Sequence, residues 1–370
     1  MISVKDDRLT KLANILINHS LEIKKNDYFM ISGGVKSIPL INEVFKQSLD
    51  LGANPFIRLG IEELAEIFFK KASNEQLKFI SPISKYEIKK IDAKLSIMSP
   101  ENTRYMTNID PKKQSICSKA QQPIHDIFMK RAANRELKWC ITQFPTHASA
   151  QDAEMSLSEY EDFIFNAAHV KLTNPIQHWK KTYSTQEKIK KYLEKKNDLH
   201  VYAKDTDLKI KIENRKWINC YGKENFPDGE IFTGPIENSA KGHISYSFPA
   251  VHGGRLVEEI QLWFDKGKVI KSKASRGEDF LKTMIKMDKG SHRIGEFAFG
   301  TNYGIKKYTK NTLFDEKIGG TIHIAIGLGF PETGSKNKSG LHWDMVCDLR
   351  KNGEVYADEE LIYKNGKFII

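Results

Sequence analysis

The chain has 370 residues, 40% of them apolar and 28% charged, with a formal net charge of +11 at pH 7. That is enough chain for two cored domains and too much apolar content for a disordered one. No run approaches the roughly 18 apolar residues of a membrane span, and "MISVKDDRLTKLANILINHS" lacks the apolar core and small-residue cleavage site of a leader, so a cytoplasmic protein is expected. The positive charge keeps nucleic acid in view. Most of it is lysine on helical faces such as "QEKIKKYLEKKND", with no RNP-like, zinc-finger or arginine-rich pattern, so a solvated surface is the expectation and nucleic acid is not. Cys117, Cys140, Cys220 and Cys347 are widely separated without a C-x-x-C pair, which speaks against a disulfide framework or structural zinc and for free, buried thiols.

Taken in order, the first half alternates helix and strand signals. "DRLTKLANILINHSLEI" places Leu9, Leu12, Ala13 and Leu16 on one helical face, and "DYFMISGG" reads as a buried strand ending in glycines. "SIPLINEVFKQSLDLGA" predicts a helix closed by Gly52, "NPFIRLG" a strand, "EELAEIFFKKAS" a helix, and "AKLSIMS" and "ELKWCITQFP" further strands. Such alternation predicts a mostly parallel sheet flanked by helices. Gly33-Gly34 is not a G-x-G-x-x-G fingerprint and no Walker A sequence is present, so nucleotide binding is not expected.

Near residue 195 the texture changes. "LHVYAKDTDLKIKIENRKWINCYG", "GHISYSFPAV", "EEIQLWFDKGKVIKSKA" and "GTIHIAIG" alternate apolar and polar residues, with one helix at "GEDFLKTMIKMD". The expected architecture is an α/β N-terminal domain with a mostly parallel sheet, residues 1–195, followed by a strand-rich α+β C-terminal metal-binding domain, residues 196–370.

Four segments of the second half gather metal-binding side chains beside turn residues: "NFPDGEIFTGP" with Glu230, "RIGEFAFGTN" with Glu296, "NTLFDEKIGGTIHIAIG" with Asp315, Glu316 and His323, and "LHWDMV" with His342 and Asp344. On a strand, positions i and i+2 share a face, so His342 and Asp344 can grip one site while Trp343 points away. Imidazole with carboxylate suits zinc, cobalt or manganese better than calcium. Two such ions about 3.5–4 Å apart can generate hydroxide near neutral pH and polarise a carbonyl. Each segment alone has a plain reading: a glutamate after glycine is usually a surface carboxylate, and "DEK" a solvated turn.

These residues also resemble the M29 metallo-aminopeptidases, the thermophilic aminopeptidase or aminopeptidase T family. "FPDGEIFTGP" is similar to that family's N-x-P-[ST]-x-E-[VI]-F-T-x-P segment, and "IGEFAFGTNYGI", "NTLFDEKIGGTIHIAIG", "PETGSKNKS" and "HWDM" resemble its later blocks in the right order. The resemblance implies two divalent metal ions per chain, usually cobalt or zinc, with manganese or magnesium as further candidates. Their ligands by motif are Glu230, Glu296, His323, His342 and Asp344. It implies a homodimer, a peptide substrate with a free N-terminus, and hydrolysis of N-terminal residues through a water activated by the metal pair; the lack of a long apolar run adds the expectation of no membrane. Glu316, just upstream of the His323 strand, is the candidate proton relay.

One position departs from the pattern. Where the family has "HLALG-x-x-Y", with an active-site tyrosine, this chain reads "HIAIGLGF", placing Phe330 there. A phenyl ring donates no hydrogen bond, a loss on the order of 10²–10³ in rate if the hydroxyl acts as an oxyanion donor. Tyr303 in "GTNYGI" is a candidate replacement. The alternative expectation is therefore a catalytically weakened or inactive metal- or peptide-binding member of the same fold.

Overall fold

The computed structural model describes residues 6–370; residues 1–5, the start of the segment read for a leader, lie outside it. The chain forms two compact units, the first running to Ile176 and taking in Gly222–Pro227, the second comprising Gln177–Tyr221 and Asp228–Ile370.

The first unit is built on a parallel sheet ordered Asn54–Gly60, Tyr28–Gly34, Ala93–Met98, Lys138–Gln143 and Asn225–Phe226. Phe29, Ile31, Ala93 and Leu95 are fully buried, which is why these strands read as short continuous apolar runs. Helix Ile38–Asp50 buries Leu40, Ile41, Val44 and Ser48, one face of a 3.6-residue repeat. Gly52, at φ +75°, follows its C-terminal cap and supplies the left-handed turn into the next strand. Helix Pro111–Ala133 has no fully buried residue, but packs Ile124, Ile127 and Phe128 against Met30, Ile88, Ile91 and Leu137.

The second unit is an antiparallel sandwich. Its larger sheet runs Lys268–Lys273, Gln261–Asp265, Lys241–Ser245, Thr206–Lys211, Asp198–Ala203, Glu354–Ala357, Glu360–Lys364 and Lys367–Phe368. The smaller runs His342–Asp348, Thr321–Gly327, Ile294–Gly300, Glu230–Thr233 and Ile218–Cys220. Leu199, Val201, Leu208, Ile244, Leu262 and Val355 of the larger sheet share one core with Phe297, Phe299, Ile322, Ile324, Trp343 and Met345 of the smaller. Helix Pro175–Leu193, which ends beside the expected domain boundary at residue 195, adds Ile189 and Leu193 to that core, and helix Glu278–Ile285 adds Leu281 and Ile285. The fold is thus α/β with a parallel sheet, then strand-rich α+β. All four cysteines are free; Cys140 and Cys347 are buried, Cys117 and Cys220 only partly. No helix among the described residues is long and apolar enough to cross a membrane.

Candidate metal centre

The smaller sheet divides its residues by parity. Ile231, Phe297, Phe299, Ile322, Ile324, Ile326, Trp343, Met345 and Cys347 face the core. The alternate positions put Glu230, Glu296, His323, His342 and Asp344 on the opposite face. Glu296 reaches that face through a β-bulge. The register slips between Ile294 and Glu296, so Ile294 enters the core although it is two residues from Glu296. The bulge residue is Gly295, and a Cβ there would lie 2.3 Å from the Leu328 carbonyl oxygen, so no larger residue fits. Every one of the five side chains has a small cross-strand neighbour: Glu230 faces Gly300, Glu296 and Asp344 face Ala325, His323 faces Ala298, and His342 faces Gly327. The small neighbours leave room between the charged groups.

Glu296 stands at the centre of the cluster. Its Oε1 is 3.3 Å from His323 Nε2 and its Oε2 is 3.4 Å from His342 Nε2. Glu230 Oε2 lies 3.7 Å from His323 Nε2, and Asp344 Oδ1 lies 3.5 Å from His342 Nε2. Both imidazoles are oriented from behind: His323 Nδ1 donates to the Glu316 carbonyl at 2.9 Å and His342 Nδ1 to the Leu328 carbonyl at 2.9 Å. A neutral ring held this way turns its Nε2 lone pair toward the carboxylates, the arrangement of a metal-ligating histidine. Glu316 joins the group, with ligand atoms of Glu316, His323 and Asp344 within 4.8 Å of one another.

The electrostatics call for added positive charge. Burial pushes the Glu230 carboxyl up to about 8, with the nearby Lys317 ammonium opposing it. Burial also works against Glu296 and Asp344, yet the imidazoles beside them prevail, holding Glu296 below its usual range and Asp344 at about 2. The histidines are the mirror image: burial disfavours their charged forms, but the carboxylates raise His323 to about 9 and His342 to about 12. The carboxylates Glu230, Glu296, Glu316 and Asp344 crowd together here, and the Lys317 ammonium pairs with two of them, Glu230 and Glu316. This field draws protons onto both rings and would equally draw divalent cations in their place. Glu230 Oε2 is buried without a hydrogen-bond partner, as an oxygen reserved for a cation would be. The mixed imidazole and carboxylate donors fit a divalent transition metal, and the triads Glu230/Glu296/His323 and Glu296/His342/Asp344 could each hold one.

The structure thus gathers six of the seven side chains singled out from the sequence, all but Asp315, and it adds others. Asp228 and Cys220 group with Glu230, and Lys317 is enclosed among the carboxylates. "FPDGE" and "FDEK" contain Asp228 and Lys317 in plain view, but a buried lysine is indistinguishable in sequence from a solvated one. Asp315 is buried too; burial pushes its carboxyl up to about 8 against the hydrogen bonds it accepts from the Thr309 amide and hydroxyl. Phe330 lies edge-on to the His342 ring, centroids 5.2 Å apart, and also packs on Phe232. Tyr303 does not replace the missing hydroxyl, because its own donates to the Gly366 carbonyl at 2.8 Å.

Residues 5–368 match the protein family described as thermophilic metalloprotease (M29). The chain belongs to the M29 family. Among its M29 relatives, aminopeptidase AmpS of Bacillus subtilis is 25% identical over 98% of both chains. The solved structure of wild-type AmpT from Thermus thermophilus superimposes with a TM-score of 0.85 at 22% identity, covering 98% of this chain and 99% of that one. A 2,5-dihydroxypyridine dioxygenase from Pseudomonas putida shares the fold more loosely, at a TM-score of 0.57 and 13% identity over 99% of this chain and 98% of that one. The M29 fold therefore frames more than one chemistry, and the side chains on the sheet face must decide between them.

Proposed function

We propose that the protein is a metal-dependent aminopeptidase that hydrolyses N-terminal residues from peptides, using two divalent ions held by Glu230, Glu296, His323, His342 and Asp344. The observation that carries this reading is Glu296, which offers one oxygen toward each imidazole and so can bridge two ions. The 25% identity to an aminopeptidase over 98% of both chains supports it. Bound ions would supply Lewis-acid polarisation of the scissile carbonyl and an acidified water.

The chain's own residues supply the rest. Glu316 hydrogen-bonds Lys317 through Oε1, which leaves its other oxygen to take a proton from the attacking water and deliver it to the leaving nitrogen. The sheet-face carboxylates attract the free α-ammonium of the peptide. Phe330 presents only a hydrocarbon edge beside His342, so no hydroxyl from that position steadies the developing oxyanion. A homodimer and cobalt or zinc as the metal complete the reading and rest on family resemblance; a cytoplasmic location rests on the sequence pattern alone.

The test is a panel of dipeptides, with free and with acetylated N-termini, assayed on protein stripped of metal and then loaded with Co²⁺ or Zn²⁺. Cleavage of free-N-terminus substrates only, dependent on added metal, supports the reading. Tight metal binding without cleavage overturns it in favour of the second reading, a binding protein of the same fold with weakened turnover, which Phe330 favours.

A further inference from the structure

Among the described residues Lys317 is the one lysine or arginine that is fully enclosed, with 0% exposure. Desolvating an ammonium is costly, and an apolar side chain of the same size would usually be no less stable in its place. Its surroundings account for it. Nζ hydrogen-bonds Glu316 Oε1 and stands 3.6 Å from Glu230 Oε1. Its backbone is fixed at both ends: the amide donates to the Phe314 carbonyl at 3.0 Å, and the carbonyl accepts from Asn302 N–H at 3.0 Å. One oxygen of each carboxylate is thus turned to the lysine. The other oxygen of Glu230 points to His323 Nε2 at 3.7 Å and has no hydrogen-bond partner.

We propose that Lys317 is a positioning residue of the metal centre: its ammonium holds one oxygen of Glu230 and one of Glu316, so that Glu230 meets a cation through Oε2 alone and Glu316 keeps its other oxygen for the reacting peptide. The assignment rests on the aminopeptidase reading for the second of these roles, while the first concerns metal geometry alone. A two-oxygen grip by Glu230 would fill a coordination position that a reacting water needs. Without the lysine both carboxylates are free to swing, and small displacements of a reacting group are expensive.

The test uses the full chain, wild type and the variants Lys317→Met and Lys317→Arg, each loaded with Co²⁺. The readouts are Co²⁺ content, the visible absorption spectrum of the bound Co²⁺, and kcat and KM on a cleaved dipeptide. Lys317→Met is expected to keep the wild-type Co²⁺ content, since a repelling charge is removed. Its absorption should weaken, as the freed Glu230 oxygen raises the coordination number, and its kcat should fall by about 10²-fold with KM little changed. Lys317→Arg should restore part of both. A wild-type spectrum with wild-type kcat in Lys317→Met overturns the proposal, as does parallel loss of metal, fold stability and kcat from a soluble, folded variant. Should Lys317→Met fail to fold, a crystal structure of the Co²⁺-loaded wild type decides. Glu230 bound through one oxygen with the other at Lys317 supports the proposal, and a two-oxygen Glu230 or a lysine turned away from it overturns it. If wild type cleaves no peptide, the spectrum and the crystal structure still report on Lys317 and Glu230, so the two failures are distinct.

Discussion

The smaller sheet of the second unit has two faces made from the same strands, and they differ in almost every physical respect. Phe297, Phe299, Ile322, Ile324 and Met345 on one face are at most 1% exposed and pack into a continuous core. One residue along each strand, Glu230, Glu296, His323 and Asp344 form a charged cage whose pKa values are displaced in opposing directions. The first face is stable by itself, through area removed from water. The second is a set of desolvated charges whose repulsion is offset only by protons, Lys317 or added cations. The difference teaches that the core face provides the rigidity with which the cage is held, and that parity along a strand keeps the two roles separate.

Substitutions can separate the faces. On the cage face, His342→Ala or Asp344→Ala should empty at least one metal position and reduce turnover by more than the roughly 10–100-fold typical of losing a supporting residue, with little change in fold. Elemental analysis of metal content and circular dichroism check this together; unchanged metal content in both variants would sink the ligand assignment. On the core face, Phe299→Ala should cost about 3–5 kcal/mol of stability, read as a lower urea midpoint, while the fraction that remains folded binds metal normally. Loss of metal from folded Phe299→Ala would show that the faces are not independent.

At the rim of the cage, Phe330→Tyr should raise kcat by about 10²-fold if an oxyanion donor is what the site lacks. Steady-state kinetics on a metal-loaded sample measures it, and an unchanged kcat would assign oxyanion stabilisation elsewhere.

The smallest effect concerns Asp288, whose carboxylate accepts from the amides of Gly340, Gly290 and Ser291 and from the Ser339 hydroxyl, at 2.8–2.9 Å. It anchors the segment that leads into the His342 strand. Burial opposes its ionisation, but these donors prevail and hold the carboxyl below its usual range. A group depressed in the folded state contributes stability above its unfolded pKa and loses it as pH falls through the folded one. Asp288→Asn should therefore cost about 1–2 kcal/mol at pH 7. Its disadvantage should shrink as pH falls below the usual carboxylate range, as urea titrations at both pH values would show.

Much of the site was legible because strands encode their faces locally. "HWDMV" alternates, so His342 and Asp344 could be assigned to one side of their strand and Trp343 to the other without any tertiary information. The parallel sheet of the first unit was legible for a related reason, since strands buried on both faces read as unbroken apolar runs. Helix Pro111–Ala133 was harder to read, because its buried face is short and only half covered: Ile124, Ile127 and Phe128 pack on Met30, Ile88, Ile91 and Leu137, and no residue of the helix is fully buried. Glu316 and Lys317 lie in a segment that reads as a solvated turn, yet Lys317 is completely enclosed.

By itself, then, the sequence determined which side chains share a strand face, and through its ordered blocks which family the chain belongs to, because both are written in spacing along the chain. Only the tertiary structure decided that four separate strands align those faces. It also decided that a bulge at Gly295 turns Glu296 out of the core to stand between two histidines, and that Lys317 closes the cage from behind. Those facts depend on register, strand order and desolvation, which are properties of contacts between distant segments and have no local signature.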